Sequence, residues 1–157
     1  MLAAYTDRFP TNDLNEQLVD SRVEDEETFP DEGKTSFIRI VTIAPTELPW
    51  IVRKATGLSF VNFHTAVTID YRARSMDMTT RNIELRKRFV LDEVCHYRVD
   101  PEDSRWTIFE QTATVAVPGV PSSIAPVMED FLTSQYEKGI GEGRKIDQKL
   151  IERRMER

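Results

Sequence analysis

The sequence predicts an α+β fold: a curved antiparallel sheet of about six strands, a short N-terminal helix and one long C-terminal helix packed across the sheet. No glycine occurs between Gly57 and Gly119, and that stretch reads almost continuously as alternating β-strand. From about Pro121 to Arg154, apolar residues follow the i, i+3, i+4 spacing of an amphipathic helix. A single helix laid across a twisted sheet leaves a hollow beneath it, which favours an apolar ligand.

Composition limits the classes of function. The 157 residues correspond to one domain, which we place at residues 1–157. A formal net charge of −6 argues against nonspecific binding to nucleic acid. With a single cysteine, Cys95, no internal disulfide can form. No apolar run reaches the roughly 20 residues of a transmembrane helix and no secretory signal is evident, so we expect a protein that neither spans a membrane nor is secreted.

The first part of the chain predicts a helix followed by one antiparallel hairpin. Met1–Arg8 carries apolar residues at helical spacings, and Gln17–Val23 has the composition of a strand. The acidic segment 24–33 reads as a loop in which Gly33 can adopt a positive φ at the hairpin tip. The β-branched and apolar run Phe37–Ile43 is predicted to be the returning strand.

The proline-bracketed segment 45–57 is too apolar to be a solvated connector. One interpretation is a lid that closes over a ligand and dips into a bilayer interface, where tryptophan is favoured. The other is ordinary packing of a short helix on the sheet, and composition alone leaves both open. The apolar core of this lid segment consists of Leu48, Pro49, Trp50, Ile51 and Val52.

Four further strands follow, joined by short turns. Short connections predict a meander in which each strand pairs with its neighbour in the chain. Alternation is cleanest in the first of them, where Val61 and Phe63 share an apolar face and His64 lies on the opposite one. The strands are predicted at Phe60–Tyr71, Ser75–Glu84, Phe89–Val99 and Trp106–Val117.

The sequence contains no convincing catalytic or metal-binding constellation. His64 and His96 are the only histidines; neither has a serine, cysteine or metal-ligand partner at a useful spacing, and a structural or exposed role is favoured. Cys95 shares an apolar face with Leu91 and Tyr97, which predicts a small buried hydrophobe and not a nucleophile. We therefore expect no enzymatic activity, no cofactor and no metal.

Two carboxylates fall on strand faces that we predict to be inward. Glu93 shares the face of Cys95, and Glu110 alternates with Trp106 and Ile108. An unpaired buried carboxylate is costly, so pairing with an arginine of a neighbouring strand is the favoured interpretation. The alternative is a general base whose pKa is raised by burial.

Several short motifs, taken together, resemble those of the PRELI-domain family of phospholipid transfer proteins. The resemblance covers essentially the whole chain in order and spacing. The residues of these motifs are most similar to those of the PRELI domain that precedes CRAL-TRIO and GOLD domains in larger lipid-binding proteins. The motifs are Tyr5-Thr6-Asp7-Arg8-Phe9-Pro10, Leu48-Pro49, Asp77-Met78-Thr79-Thr80, Glu93-Val94-Cys95-His96-Tyr97 and Trp106-Thr107-Ile108-Phe109-Glu110-Gln111.

The resemblance implies a START-like sheet with a lipid tunnel between it and the C-terminal helix. It implies transfer of phospholipid between membranes, phosphatidic acid included, and it assigns Arg8 to the phosphate and residues 45–57 to the lid. It also implies that the family's first strand is absent from this chain. Acyl chains are expected to contact a set of apolar residues on the sheet and the helix, namely Val61, Phe63, Phe89, Leu91, Ile124, Val127 and Phe131.

The resemblance also implies the binding partners: a phospholipid, a membrane that is contacted transiently, and a small helical twin Cys-x9-Cys protein. The implied compartment is the mitochondrial intermembrane space or the cytoplasm. Two other hypotheses are kept. One is a protein- or membrane-recruitment domain with a vestigial lipid pocket, which the missing first strand favours. The other is a START-like enzyme with Glu93 or Glu110 as base.

Overall fold

A computed structural model of the chain describes residues 2–9, 13–44 and 59–156, with side chains from Tyr5 onward. This part of the chain forms two helices and a single antiparallel sheet of six strands, which confirms the predicted α+β fold. The elements are α1 (Leu2–Asp7), β1 (Leu18–Phe29), β2 (Lys34–Ile43), β3 (Val61–Asp70), β4 (Ser75–Asn82), β5 (Val90–Val99), β6 (Thr107–Ala116) and α2 (Ala125–Met155).

The sheet is the predicted meander, with each strand paired to the next one along the chain in the order β1-β2-β3-β4-β5-β6. Gly33 closes the β1–β2 turn with a φ of 69°, as predicted. A Cβ at this position would also lie 2.9 Å from the side chain of Arg72. Both the backbone conformation and this close approach therefore favour glycine.

The strand β1 continues through most of the segment that the sequence predicted to be an acidic loop. It ends at Phe29, and its carboxylates are exposed at the sheet edge. Glu26 lies opposite Phe37 of β2, with register irregularities earlier in the strand. Because these carboxylates stay in solvent, they lose no hydration, and pairing with β2 overrides their low β-propensity. The loop prediction for 24–33 is wrong over residues 24–29.

The buried core lies at the end of the sheet next to α1. Met76 is fully buried, and the register places it between Ile69 of β3 and Tyr97 of β5. Tyr97 stacks on Phe109 of β6 with ring centroids 4.5 Å apart. Tyr5 of α1 belongs to the same cluster and is itself buried. The short N-terminal helix therefore covers one end of the sheet.

The helix α2 lies across the same face and is fixed near both ends. Near its start, the Glu129 carboxylate accepts a hydrogen bond of 3.1 Å from the backbone N–H of Val117. Near its end, Arg154 forms an ion pair with Asp7 of α1, with one bond of 2.8 Å. Between these points the helix buries Leu150. Neither described helix is long and apolar enough to cross a membrane.

Candidate functional site

A row of polar side chains crosses the face of the sheet that lies under α2, which we call the inner face. The pairing register places Arg39 of β2, Thr65 of β3, Thr80 of β4 and Glu93 of β5 successively opposite one another. The hydroxyls of Thr65 and Thr80 are 3.2 Å apart and share a hydrogen bond. We call these four residues the polar row; the buried core lies on one side of it.

Several apolar side chains on the other side of the polar row remain half-buried. In the β2–β3 register, Val41 lies opposite Phe63. In the β5–β6 register, Leu91 lies opposite Val115. Partly exposed apolar surface of this kind can be covered by an apolar ligand. We call this set the open patch, and with the half-buried residues of the facing helix it comprises Val41, Phe63, Leu91, Val115, Phe131 and Leu132.

The structure places the predicted tunnel residues in two groups. Phe63, Phe89, Leu91 and Phe131 are half-buried and Val61 is buried, in keeping with a position between sheet and helix.

The other two residues predicted to line the tunnel face solvent. Ile124, which precedes α2, is 49% exposed, and Val127 is 68% exposed. Half-buried and buried positions of α2 include Met128, Phe131, Leu132 and Leu150, whereas Val127, one turn before Phe131, is exposed in the first turn of the helix. The prediction that Ile124 and Val127 line the tunnel is therefore wrong.

Arg39 is a buried guanidinium without a carboxylate partner among the described residues. The residue is 9% exposed, and its guanidinium carbon lies 4.1 Å from the ring centroid of Phe9 and 5.4 Å from that of Phe37. Its Nη1 donates a hydrogen bond of 3.3 Å to Ser21 Oγ, whereas its Nε has no partner in the described ranges. A buried cation without a counter-ion is costly, and the planar fork of arginine donors matches a phosphate.

Glu93, Gln111 and Tyr136 form a hydrogen-bonded group between β5, β6 and α2, which we call the acceptor cluster. Gln111 Nε2 donates a hydrogen bond of 2.7 Å to Glu93 Oε2, and the Tyr136 hydroxyl donates to the same oxygen. Gln111 Nε2 also lies 2.8 Å from the Tyr136 hydroxyl oxygen. The amide oxygen of Gln111 is buried and has no partner in the part of the chain that the structure describes.

The acceptor cluster corrects both predictions about carboxylates. The partners of Glu93 are neutral donors, so the predicted pairing with an arginine is wrong. Glu110 lies opposite His96 and is exposed, so its predicted inward position is wrong as well. The reason lies in the β5–β6 register, which turns Phe109 and Gln111 inward and leaves the side chains of Ile108 and Glu110 outside.

The ionisable neighbours of Glu93 stay protonated at neutral pH. Burial raises the pKa of the Tyr136 hydroxyl, and the hydrogen bond to Glu93 raises it further. Burial also raises the pKa of the Cys95 thiol, with an added contribution from the negative charge of Glu93. Cys95 is buried, as predicted, and a thiol in this environment is a poor nucleophile.

Arg8, the phosphate contact implied by the resemblance, is bound to α2. Its Nε donates to Asp147 Oδ1 at 2.5 Å, and its Nη2 donates to the carbonyl of Gly143 at 2.9 Å. The side chains of Arg8 and Asp147 are 27% and 12% exposed, so the ion pair is partly buried. Because a carboxylate already neutralises this cation, we expect Arg8 to attract an anion less strongly than Arg39.

The remaining predicted site residues lie elsewhere. The lid segment 45–57, with Leu48, Pro49, Trp50, Ile51 and Val52, falls outside the described residues. His96 is on the outer face, where its Nδ1 lies 2.6 Å from Asp77 Oδ1. The described residues contain no group of three or more His, Cys, Asp or Glu side chains placed to hold a metal ion.

The sequence analysis assigned no role to Arg39, Gln111 or Tyr136. For Arg39 a signal was present, since it is the only charged residue in the apolar run Phe37–Ile43 and has the same strand parity as Phe37. For Gln111 and Tyr136 no comparable signal exists, because their meeting depends on how α2 lies against β6.

Comparison with known proteins identifies the family. The model of the PRELI-like family matches residues 1–157. The chain is 30% identical over 152 residues to the CRAL-TRIO domain-containing protein T23G5.2 of Caenorhabditis elegans, a match that covers 97% of this chain and 21% of that protein. It is 27% identical over 146 residues to Protein real-time of Drosophila melanogaster, covering 93% of this chain and 22% of that protein.

A third relative, the Protein slowmo homolog of Dictyostelium discoideum, is 35% identical over 92 residues, or 57% of this chain and 38% of that protein. The chain thus spans about a fifth of the length of the nematode and fly relatives. Since the family model matches from the first residue to the last, a lipid-related function is indicated, and the chain belongs to the PRELI-like family.

Proposed function

We propose that this protein binds a phospholipid between the inner face of the sheet and α2 and transfers it between membranes, without catalysing a reaction. The acyl chains lie on the open patch, and the phosphate is bound by Arg39. As the resemblance implies, residues 45–57 are proposed as the lid.

The observation that carries the proposal is a buried cation without a carboxylate partner among the described residues, on the same sheet face as half-buried apolar side chains. Arg39 and Phe63 lie on the same face of neighbouring strands, two positions apart in the register. A phospholipid satisfies both features, since its phosphate supplies the missing anion and its chains cover the apolar surface. Burial of an acyl chain contributes about 0.8 kcal/mol per methylene, so the chains supply most of the affinity.

The contacts of the candidate catalytic groups favour binding over catalysis. The Cys95 thiol is buried with a raised pKa, and Glu93 is engaged by two neutral donors. A general base needs a free acceptor within reach of the proton that it removes, and a nucleophile needs a lowered pKa. Cys95 lacks the lowered pKa of a nucleophile, and Glu93 is held by hydrogen bonds from Gln111 and Tyr136 to one of its oxygens.

Transfer between vesicles tests the proposal. Purified protein should accelerate movement of fluorescent phosphatidic acid, the lipid implied by the resemblance, from donor to acceptor vesicles. The Arg39→Met variant should lower the transfer rate about tenfold or more, because one charged hydrogen bond to phosphate contributes roughly 1.5–3 kcal/mol.

The matched control is Arg22→Met, which removes an exposed arginine from the neighbouring strand β1. It should transfer lipid within about twofold of the unmodified protein, since a surface charge contributes little. Circular dichroism establishes that both variants are folded. If the folded protein transfers no phospholipid of any headgroup, the proposal is wrong.

The partner and the compartment follow from the resemblance and belong to the same proposal. We propose a small helical twin Cys-x9-Cys protein as partner and the mitochondrial intermembrane space as the site of action. Co-purification of such a protein from mitochondria, with the untagged chain as competitor, tests both.

A further inference from the structure

We propose that α2 bends at Gly139 and Gly141, so that its first half moves away from the sheet to admit and release the lipid while its second half stays bound to α1. The inference rests on the proposed phospholipid-binding function and concerns the route by which the lipid reaches the inner face. It follows from how each half of α2 is buried, what holds each half in place, and which residues join the two.

The two halves of α2 are buried to different extents. The first half, residues 125–138, is described throughout and contains no buried residue; Phe131 and Leu132, which it contributes to the open patch, are half-buried. The second half, residues 144–155, contains both buried residues of the helix, Asp147 and Leu150. The first half is therefore the less tightly packed of the two, and its movement away from the sheet uncovers the open patch.

The contacts that hold the two halves also differ. The first half is held by hydrogen bonds at two points, where Glu129 accepts from the backbone N–H of Val117 and Tyr136 donates to Glu93. The second half is held to α1 and to the segment that follows it by three ion pairs between arginines and aspartates, each of which joins residues more than 100 positions apart in the chain. These pairs are Arg8–Asp147, Arg153–Asp13 and Arg154–Asp7. The second half is thus the anchored end of the helix.

The two halves meet at a pair of glycines, Gly139 and Gly141, which we call the hinge. The helix is continuous through both, and neither has the positive φ of Gly33. A Cβ at either position would meet neither another element nor a side chain of the described residues within 4 Å. Neither backbone conformation nor close approach therefore requires glycine here. What two glycines do provide is a low preference for the helical conformation, so α2 bends most easily between its two halves.

Alanine at both hinge positions tests the inference in the vesicle transfer assay. Alanine favours the helical conformation over glycine by about fivefold at each position. The double variant Gly139→Ala/Gly141→Ala should therefore slow transfer of phosphatidic acid by about tenfold, because bending of α2 becomes less favourable. The same variant should raise the melting temperature by roughly 2–6 °C, because alanine favours the folded helix over the unfolded chain. Slower transfer by a more stable protein cannot be ascribed to damage to the fold.

The matched control is Thr133→Ala/Ser134→Ala. Both residues are exposed in the first half of α2, and alanine raises the helix preference there as well. This double variant should also raise the melting temperature, but it should transfer lipid within about twofold of the unmodified protein, because its substitutions lie outside the hinge.

Distances between spin labels report the movement itself. One label at Thr112→Cys, on the exposed side of β6, is combined with a second label at Ser134→Cys in the first half or at Lys149→Cys in the second half. The background is Cys95→Ala, which removes the native thiol. With phosphatidic acid vesicles, pulsed electron paramagnetic resonance should show a second, longer distance for the first pair and one unchanged distance for the second pair. Alanine at the hinge should reduce the population of the longer distance.

The outcomes separate this inference from the function on which it rests. If the hinge variant transfers lipid as fast as the Thr133→Ala/Ser134→Ala control, the hinge is overturned and phospholipid transfer stands. Label pairs that both lengthen, or that both stay unchanged while lipid is transferred, overturn it as well. Absence of transfer by the folded, unmodified protein overturns the proposed function and this inference with it.

Discussion

Two regions of the inner face, built from the same strands, differ in how completely they are covered. On the side of the polar row next to α1, Val67, Met76 and Tyr97 are each no more than 6% exposed. On the other side, Phe63 and Leu91 are only half-buried. The register carries every strand from one region into the other, so the difference does not come from the sheet itself.

The difference comes from what covers each region. Tyr5 of α1 packs into the buried region, and the Tyr97 and Phe109 rings stack within it. Packing at this density is what stabilises a small domain. The second region is only partly covered. The free-energy cost of leaving apolar side chains in contact with water is therefore limited to a patch that a ligand can occupy. The polar row thus separates the part of the inner face that stabilises the fold from the part that is left open for binding.

The largest expected effect is on the buried region. Met76→Ala should reduce the free energy of unfolding by about 2–5 kcal/mol, because Met76 is fully buried and the change leaves a cavity. Urea denaturation measures this value. Met155→Ala is the matched control, since Met155 is 82% exposed, and it should change stability by less than about 0.5 kcal/mol. If both variants lost a similar amount of unfolding free energy, the distinction between a packed region and an open patch would be wrong.

A smaller loss of stability is expected from the open patch. Phe63→Ala should cost less than half as much as Met76→Ala, roughly 1 kcal/mol, because the ring is only partly removed from water in the folded protein. The same variant should slow phospholipid transfer, which Met155→Ala should not do. If Phe63→Ala destabilised the protein as much as Met76→Ala, the open patch would belong to the packed core.

The smallest effect concerns an ion pair outside both regions. Arg86 binds Asp92 through two hydrogen bonds of 2.8 Å, and this contact lowers the pKa of the Asp92 carboxyl. The stability it contributes is fully present above about pH 4, the ordinary value for aspartate, and is lost as the pH falls through the lowered pKa. With about half of each side chain exposed, we expect less than about 0.5 kcal/mol.

Urea denaturation of the Asp92→Asn variant beside the unmodified protein checks this value. The small difference between them at pH 7 should shrink as the pH approaches 3. A difference that grew on acidification would show that the sign of this linkage is wrong.

Strand alternation and helical spacing predicted most of the architecture, because both depend on local patterns. The predictions failed where a partner element decides the outcome. Residues 24–29 form a strand only because β2 pairs with them, and Glu110 faces outward because the register pairs Phe109 with Tyr97.

The binding groups were harder to predict than the fold. Arg39 is the only charged residue in its run, but because the run is apolar on both strand faces, its parity does not show which of the two faces is the inner one. The acceptor cluster combines residues from two strands and a helix, and only the packing of α2 brings Tyr136 to Glu93. Sequence patterns specify which face of each element is apolar, but they do not specify which two elements meet at a given residue.

The most direct test of the account is to locate a bound acyl chain. A phospholipid with a photoactivatable diazirine near the chain terminus can be loaded from vesicles, irradiated and mapped by peptide mass spectrometry. The account predicts labelling on peptides that carry Phe63, Leu91 and Phe131, and little on outer-face residues such as Val94 and Ile108. Labelling confined to the outer face, or equal on both faces, would contradict it.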